Sequence, residues 1–258
     1  MRQVWDRGAL REDRDAVVTE LPVALVYNGI SHAVMMATPT DLEDFALGFS
    51  LSEGIVRHRG QVLDMEVSET DMGVELALTI SAEPFAALKQ YRRSMVGRTG
   101  CGLCGVESLA QAVAPAVRVH GACQITHGAL QTAAVALGQH QSLKRLTGGV
   151  HAAAWCTVGG EIQLLREDVG RHNALDKVLG ALQHSPLRTP GFVLVTSRAS
   201  YEMVAKSARC NIAVLAAVSA PTSLAVQQAQ LSGVTLVGFL QPGRQVIYAN
   251  GQRLVERL

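Results

Sequence analysis

The sequence predicts an α/β protein in two unequal parts. A C-terminal three-layer α/β/α unit follows a smaller N-terminal α+β unit. Two observations predict this. From Phe192 onward, apolar strand-like runs (Phe192 to Thr196, Ile212 to Val218, Val234 to Phe239) alternate with helix-prone segments (Tyr201 to Arg209, Ser223 to Leu231). Such alternation implies crossover connections and a largely parallel sheet covered on both faces. Before Gly121 the connections are short and the pairing reads as local and antiparallel. The 258 residues are 48% hydrophobic but only 4% aromatic, so the core must be built mostly from Ala, Val and Leu.

In order, residues 1–19 are rich in Arg and Asp and are expected as a flexible arm. Residues 20–122 form the α+β unit and 123–258 the α/β unit. Val23 to Tyr27, Asn28-Gly29 and Ile30 to Ala37 read as a hairpin with a primed turn. Thr40-Asp41-Leu42-Glu43 reads as a capping box, opening a helix that buries Leu42, Phe45, Ala46 and Phe49 and ends near Gly54. Val62 to Val67 and Gly73 to Ile80 form a second strand pair, and Glu83 to Met95 a helix. Thr126 to Arg145 reads as one Ala- and Leu-rich helix. Ala152 to Val158 and Glu161 to Arg166 flank Gly159-Gly160 as a hairpin, a helix follows over Arg171 to Gln183, and Gln245 to Tyr248 is the last strand.

Composition excludes several classes of function. A net charge of +1 gives no general attraction to nucleic acid or membrane. No window approaches a membrane span, and Met1 to Arg7 lacks the apolar core of a signal peptide. The expectation is a cytoplasmic protein whose five cysteines stay reduced, so a CxxC is catalytic or metal-binding rather than structural.

That CxxC lies in Gly97-Arg98-Thr99-Gly100-Cys101-Gly102-Leu103-Cys104-Gly105. Four glycines in nine residues disfavour regular structure and suit a loop that presents two thiols. The segment Val106 to Ala114 is helix-prone, and its positive dipole end, with Arg98, would favour thiolate on the cysteines. Two chemistries remain open. One is thiol chemistry on a sulfur-presenting loop. The other is a zinc-stabilised module using Cys101, Cys104 and Cys123 with His127 or His120.

Strand-to-helix turns carry the remaining polar groups. Thr147-Gly148-Gly149-Val150-His151 contains a histidine behind two glycines, but the His-x-Glu of zinc deaminases is broken, because Ala153 stands where the Glu would be. Glu167 to Lys177 is dense in functional groups. Asp168, Arg171 and His172 read as a ligand site at a helix N-terminus, where phosphate binds well, while Asp176 and Lys177 could be only a solvated face. Ser197 and Arg198, with Ser200 as a helix cap, offer a second hydroxyl-and-Arg clamp. Ser219 to Ser223 is a third turn. Phe239-Leu240-Gln241-Pro242-Gly243-Arg244 is a fourth, with an Arg on a Pro-Gly corner. The topology converges these turns on one cleft.

Taken together, these stretches resemble the FdhD family of formate dehydrogenase accessory sulfurtransferases. The resemblance rests on Arg98 to Gly105, Thr147 to Ala153, Glu167 to Lys177, Ser197 to Met203 with Lys206, Ser219 to Ala225 and Thr235 to Phe239, in order along the chain. It implies that a cysteine desulfurase hands persulfide sulfur to Cys101, with Cys104 assisting. The sulfur then passes to a molybdenum or tungsten bis(molybdopterin guanine dinucleotide) cofactor, bound as substrate, for formate dehydrogenase. It further implies a second unit like the cytidine deaminase fold without its zinc, no tightly held metal, guanine-dinucleotide binding at Phe239 to Arg244, and a homodimer. Family members often carry Ser-Gly-Arg where this chain has Ser197-Arg198.

Overall fold

A computed structural model describes residues 1–95, 115–121, 123–184 and 190–257, with residues 91–95 described by backbone alone. The cysteine pair Cys101 and Cys104, and the helix expected after it, lie outside the described residues.

The chain opens on a hairpin, β1 (Arg2–Asp6) and β2 (Ala9–Asp13), within the stretch expected as a flexible arm. Arg7 and Gly8 both take positive φ (48° and 91°), the geometry of a primed two-residue turn, and this closes the pair. The first large sheet has the order β4-β3-β6-β5, from β3 (Leu21–Tyr27), β4 (Ile30–Ala37), β5 (Val62–Thr70) and β6 (Gly73–Ile80). Asn28 and Gly29 form the expected primed turn (φ 47° and 77°). Pairing is not wholly antiparallel: β3 and β6 run parallel at the centre. Helix α1 (Leu42–Ser52) crosses between β4 and β5 and makes that parallel connection possible, while α2 (Ala82–Met95) follows β6.

The expected capping box at α1 does not form. Asp41 is the N-cap in the left-handed region (φ 52°) and makes no cap bond. Its carboxylate instead meets Arg166 at 3.2 Å, a stronger partner supplied by the other half of the chain.

The second sheet has six strands in the order β13-β12-β11-β10-β8-β9. They are β8 (His151–Thr157), β9 (Ile162–Asp168), β10 (Gly191–Val195), β11 (Val214–Ala217), β12 (Thr235–Gln241) and β13 (Arg244–Ala249). Only β10, β11 and β12 run parallel; hairpins make β8–β9 and β12–β13 antiparallel, and β8 is also antiparallel to β10. Ala152–Cys156, Gly191–Val195 and Val214–Ala217 are buried without alternation, as strands covered on both faces must be. The helices are α3 (His127–His140), α4 (Ser142–Thr147), α5 (Arg171–His184), α6 (Tyr201–Arg209) and α7 (Ser223–Ser232). The single helix expected over Thr126 to Arg145 breaks at Gln141. The Glu167 carboxylate causes the break by accepting bonds from Leu143 N (2.8 Å) and Lys144 N (2.9 Å), which caps a new helix start. A short parallel pair, β7 (Ile125–Thr126) with β14 (Leu254–Val255), ties the chain end to the start of α3.

Each sheet has its own apolar cluster, and the two meet where α1 packs on α5. The helices cross at Gly48 and Gly180. A Cβ on Gly48 would sit 1.7 Å from the Asp176 carbonyl oxygen, and one on Gly180 would sit 1.9 Å from that of Asp44. Neither position can hold any other residue at this spacing.

Candidate functional site at the sheet edge

The register of the six strands decides what shares an edge. Strands β10, β11 and β12 all finish on one side of the sheet. Because β8 is antiparallel to β10, its first residue, His151, lies on that same side, and β9 ends there with Asp168 opposite His151. The turns at Asp168 to His172, Thr196 to Ser200, Ser219 to Thr222 and Gln241 to Arg244 therefore line one edge. Cross-bonds hold them together: Thr222 N donates to Ala199 O (3.0 Å), Phe239 N to Ser219 O (3.1 Å), and Ala152 N to Thr196 Oγ1 (2.9 Å). The convergence expected from alternating strands and helices is present, although the fourth turn is a hairpin rather than a strand-to-helix turn.

Asp168 is fully buried and has four donors. Its Oδ1 accepts from Gly170 N (2.7 Å) and Asn173 Nδ2 (3.0 Å); its Oδ2 accepts from Thr38 N (3.0 Å) and pairs with Lys177 Nζ (2.7 Å). Both carboxylate oxygens are saturated, so Asp168 shapes the turn rather than meeting a ligand. Lys177 is as buried, and Asp176 is 1% exposed, so the solvated-face reading of these two is corrected. Asp176 pairs with Lys206 (2.9 Å) and accepts from Ser52 Oγ (2.6 Å); Lys206 also pairs with Glu53 (2.7 Å). Burial alone would push Lys206 down, but Asp176 and Glu53 outweigh it and hold the amine above its ordinary range. Three polar knots, Thr38 with Asp168 and Lys177, Ser52 and Glu53 with Asp176 and Lys206, and Asp44 with Arg166 (2.8 Å), thus lock the first sheet's elements to α5 and its neighbours.

Arg171 and His172 begin α5 at the edge. Arg171 Nε and His172 Nε2 are buried without a hydrogen-bond partner. His172 Nε2 lies 3.9 Å from the Glu202 carboxylate, too long for a bond. Burial, then Arg171 and Lys206, pushes His172 down to about 4, so the ring is neutral at pH 7. Burial, then Arg171 and Lys144, also lowers His151. The cause common to both histidines after burial is the Arg171 cation, which makes this corner electropositive at a helix N-terminus.

Of the remaining expected residues, Arg198, Gln241, Pro242, Gly243 and Arg244 are exposed, and Phe239 is partly so. Arg244 lies over the Phe239 ring at 5.3 Å. Phe239 takes positive φ (48°), which belongs to the irregular register of β12 against β13. Leu240 is 1% exposed and belongs to the core. Ser197 is buried, and its hydroxyl donates to Arg198 O (3.0 Å). Ser200 sits at the start of α6 but makes no cap bond, donating instead to Glu202 (2.7 Å). Sequence reasoning missed Thr38, Ser52, Glu53 and Asp44, because each finds its partner more than 120 positions away.

Two residues of the zinc reading are engaged elsewhere. Cys123 is buried with its thiol toward Gly191 O (3.8 Å), and burial raises it. His127 Nδ1 is bonded to Gln245 (2.6 Å). Among the described residues, no group of three or more His, Cys, Asp or Glu could hold a metal ion, and no helix is long and apolar enough to cross a membrane.

The chain is 55% identical over 251 residues to the sulfur carrier protein FdhD of Cupriavidus necator, covering 97% of this chain and 87% of the relative. It is 51% identical over 243 residues to that of Acinetobacter baylyi, covering 91% and 86%. A solved structure from Desulfotalea psychrophila, assigned as a formate dehydrogenase accessory protein, is similar with a TM-score of 0.74 at 25% identity, over 98% of this chain and 97% of that one. The model of the FdhD/NarQ family matches residues 18–255. A match of that extent, together with these relatives, shows that the chain belongs to the FdhD/NarQ family.

Proposed function

We propose that this protein is a cytoplasmic sulfur carrier serving formate dehydrogenase. The observation that carries the reading is that relatives about half identical over more than nine tenths of the chain share one name, sulfur carrier protein FdhD. In this reading the Cys101 thiolate attacks the outer sulfur of a cysteine desulfurase persulfide, the S–S bond breaks, and the desulfurase cysteine leaves as thiolate. Attack of the Cys104 thiolate on the Cys101 sulfur then releases hydrosulfide and leaves a Cys101–Cys104 disulfide, which keeps the electrons balanced. The acceptor is the molybdenum bis(molybdopterin guanine dinucleotide) cofactor, taken as substrate. Its anionic nucleotide ends suit the sheet edge, where Arg171, Arg198 and Arg244 supply charge and α5 supplies a helix N-terminus. We read the six-stranded unit as the cytidine-deaminase-like half of the family fold.

The deciding experiment is intact mass after incubation with a cysteine desulfurase, cysteine and pyridoxal phosphate. A sulfur-sized, reductant-sensitive increment is expected in the wild type and is expected to vanish in Cys101→Ala. No increment in the wild type would sink the carrier reading, and bound zinc seen instead would favour a zinc-stabilised, cofactor-binding module. Titration with GDP tests the ligand edge. Affinity is expected to fall at least about ten-fold in Arg198→Ala or Arg244→Ala, as for loss of one charge-assisted bond. Unchanged affinity would remove those residues from the site.

A further inference from the structure

The exposed Gly243 in the turn between β12 and β13 donates its backbone N–H to Gln131 Oε1 at 2.7 Å. A backbone N–H can only donate, so the Gln131 atom that faces it is the oxygen. The Gln131 amide therefore presents Nε2 on its other side, where it donates to Gln245 Oε1 at 2.8 Å. Gln245 in turn presents its own Nε2 to His127 Nδ1 at 2.6 Å. Nδ1 must accept, and the proton of the neutral ring sits on Nε2. Three bonds thus share one polarity, and it is set by a backbone amide that cannot reverse. His127 and Gln131 are four apart on α3 and share a face; Gln245 is the second residue of β13.

Residues 241–244 of the turn are exposed. Gly243 (φ 80°) has nothing within 4 Å of the place a Cβ would take, and it follows Pro242, whose ring fixes φ. Arg244 follows directly, over Phe239.

We infer that His127, Gln131 and Gln245 are positioning residues for this turn. They hold Gly243, and with it Arg244, at the ligand edge, and only the neutral, Nε2-protonated His127 completes the chain. The ligand half of this inference rests on the nucleotide reading given above. The geometric half does not. An imidazolium donates from both nitrogens. It would force Gln245 to flip, which reverses Gln131 and sets its Nε2 against the Gly243 N–H, donor against donor.

The test uses the full chain with GDP as the probe. In Gln131→Met, which keeps the length and helix propensity of the side chain, amide exchange at Gly243 is expected to rise about three- to ten-fold. Exchange at Phe239, bonded to Ser219 O, is expected to stay as in the wild type. GDP affinity is expected to fall by a similar factor, and Gln131→Met with Gln245→Met is expected to lose no more than the larger single change. The ¹⁵N spectrum of His127 is expected to show Nδ1 as the bare nitrogen. Unchanged exchange at Gly243, additive losses, or a protonated Nδ1 would each overturn the inference. Absence of GDP binding in the wild type would remove the nucleotide reading; the exchange and nitrogen measurements would still decide the chain of bonds.

Discussion

His172 carries the clearest pH dependence in the fold. Its pKa is about 4 in the folded chain against an ordinary value of 6.5, with burial the largest cause and the Arg171 cation next. Between those two values the unfolded chain binds a proton that the folded chain refuses. Stability is therefore complete above about pH 6.5 and falls as pH drops toward 4. The contribution is on the order of 1–3 kcal/mol. In His172→Asn the urea midpoint is expected to be flatter over this window than in the wild type; parallel profiles would show that the histidine is not the titrating group. Lys177 is the opposite kind of residue, charged, fully buried and paired to Asp168 at 2.7 Å. Lys177→Met leaves a buried carboxylate without its cation and is expected to cost about 3–5 kcal/mol by chemical denaturation. Adding Asp168→Asn is expected to recover part of that loss; a double change as costly as the two singles summed would show that the pair is not the source.

Glycines separate into two kinds at the scale of elements. Gly48 and Gly180 are packing residues at the crossing of α1 and α5, where a Cβ would meet backbone within 2 Å. Gly48→Ala and Gly180→Ala are each expected to force the helices apart and cost more than about 3 kcal/mol, read as a large fall in melting temperature or loss of soluble protein. Gly138 is exposed on α3 with nothing within 4 Å of its Cβ position, so Gly138→Ala should stabilise by about 0.5–1 kcal/mol. An equal effect at the buried and exposed positions would contradict the crossing geometry. Helix starts follow the same local logic. Thr126 and Thr222 accept bonds from Ala129 N (3.0 Å) and Ala225 N (3.2 Å), as their residue type suggests. The box expected over Thr40 to Glu43 does not form: the N-cap is Asp41, whose carboxylate pairs with Arg166.

For the whole molecule, two sheets with separate apolar clusters suggest two units free to move, yet three polar knots and a glycine crossing bind them. Separating the units would break the Arg166–Asp44 and Lys206–Glu53 pairs and strip Asp168, Lys177 and Asp176 of their Thr38 and Ser52 partners, so partial opening costs more than the lost apolar contact alone. The chain is expected to unfold in one transition. Hydrogen exchange along β3 and β6 should collapse at the same denaturant concentration as exchange along β10 and β11. Earlier loss in the first sheet alone would show that the knots do not couple the units.

Most of the elements follow from local sequence, because strand runs, primed turns and helix starts depend on residues within a few positions of each other. Asn28-Gly29, Gly159-Gly160 and the run of strands and helices after Phe192 were legible for that reason, and so was the gathering of polar turns at one edge, which follows from crossover topology. Tertiary structure alone decided the roles of the charged residues. Asp168 and Lys177 look like site residues or surface in a linear reading, and become a buried strut once Thr38 arrives from 130 positions away. The break at Gln141, the missing capping box over Thr40 to Glu43 and the Gln131–Gln245–His127 chain have the same origin. Each is set by a partner distant in sequence. Electrostatic and hydrogen-bonding demands of a buried group are met by whatever donor the fold brings within about 3 Å, and no local pattern records which one that is.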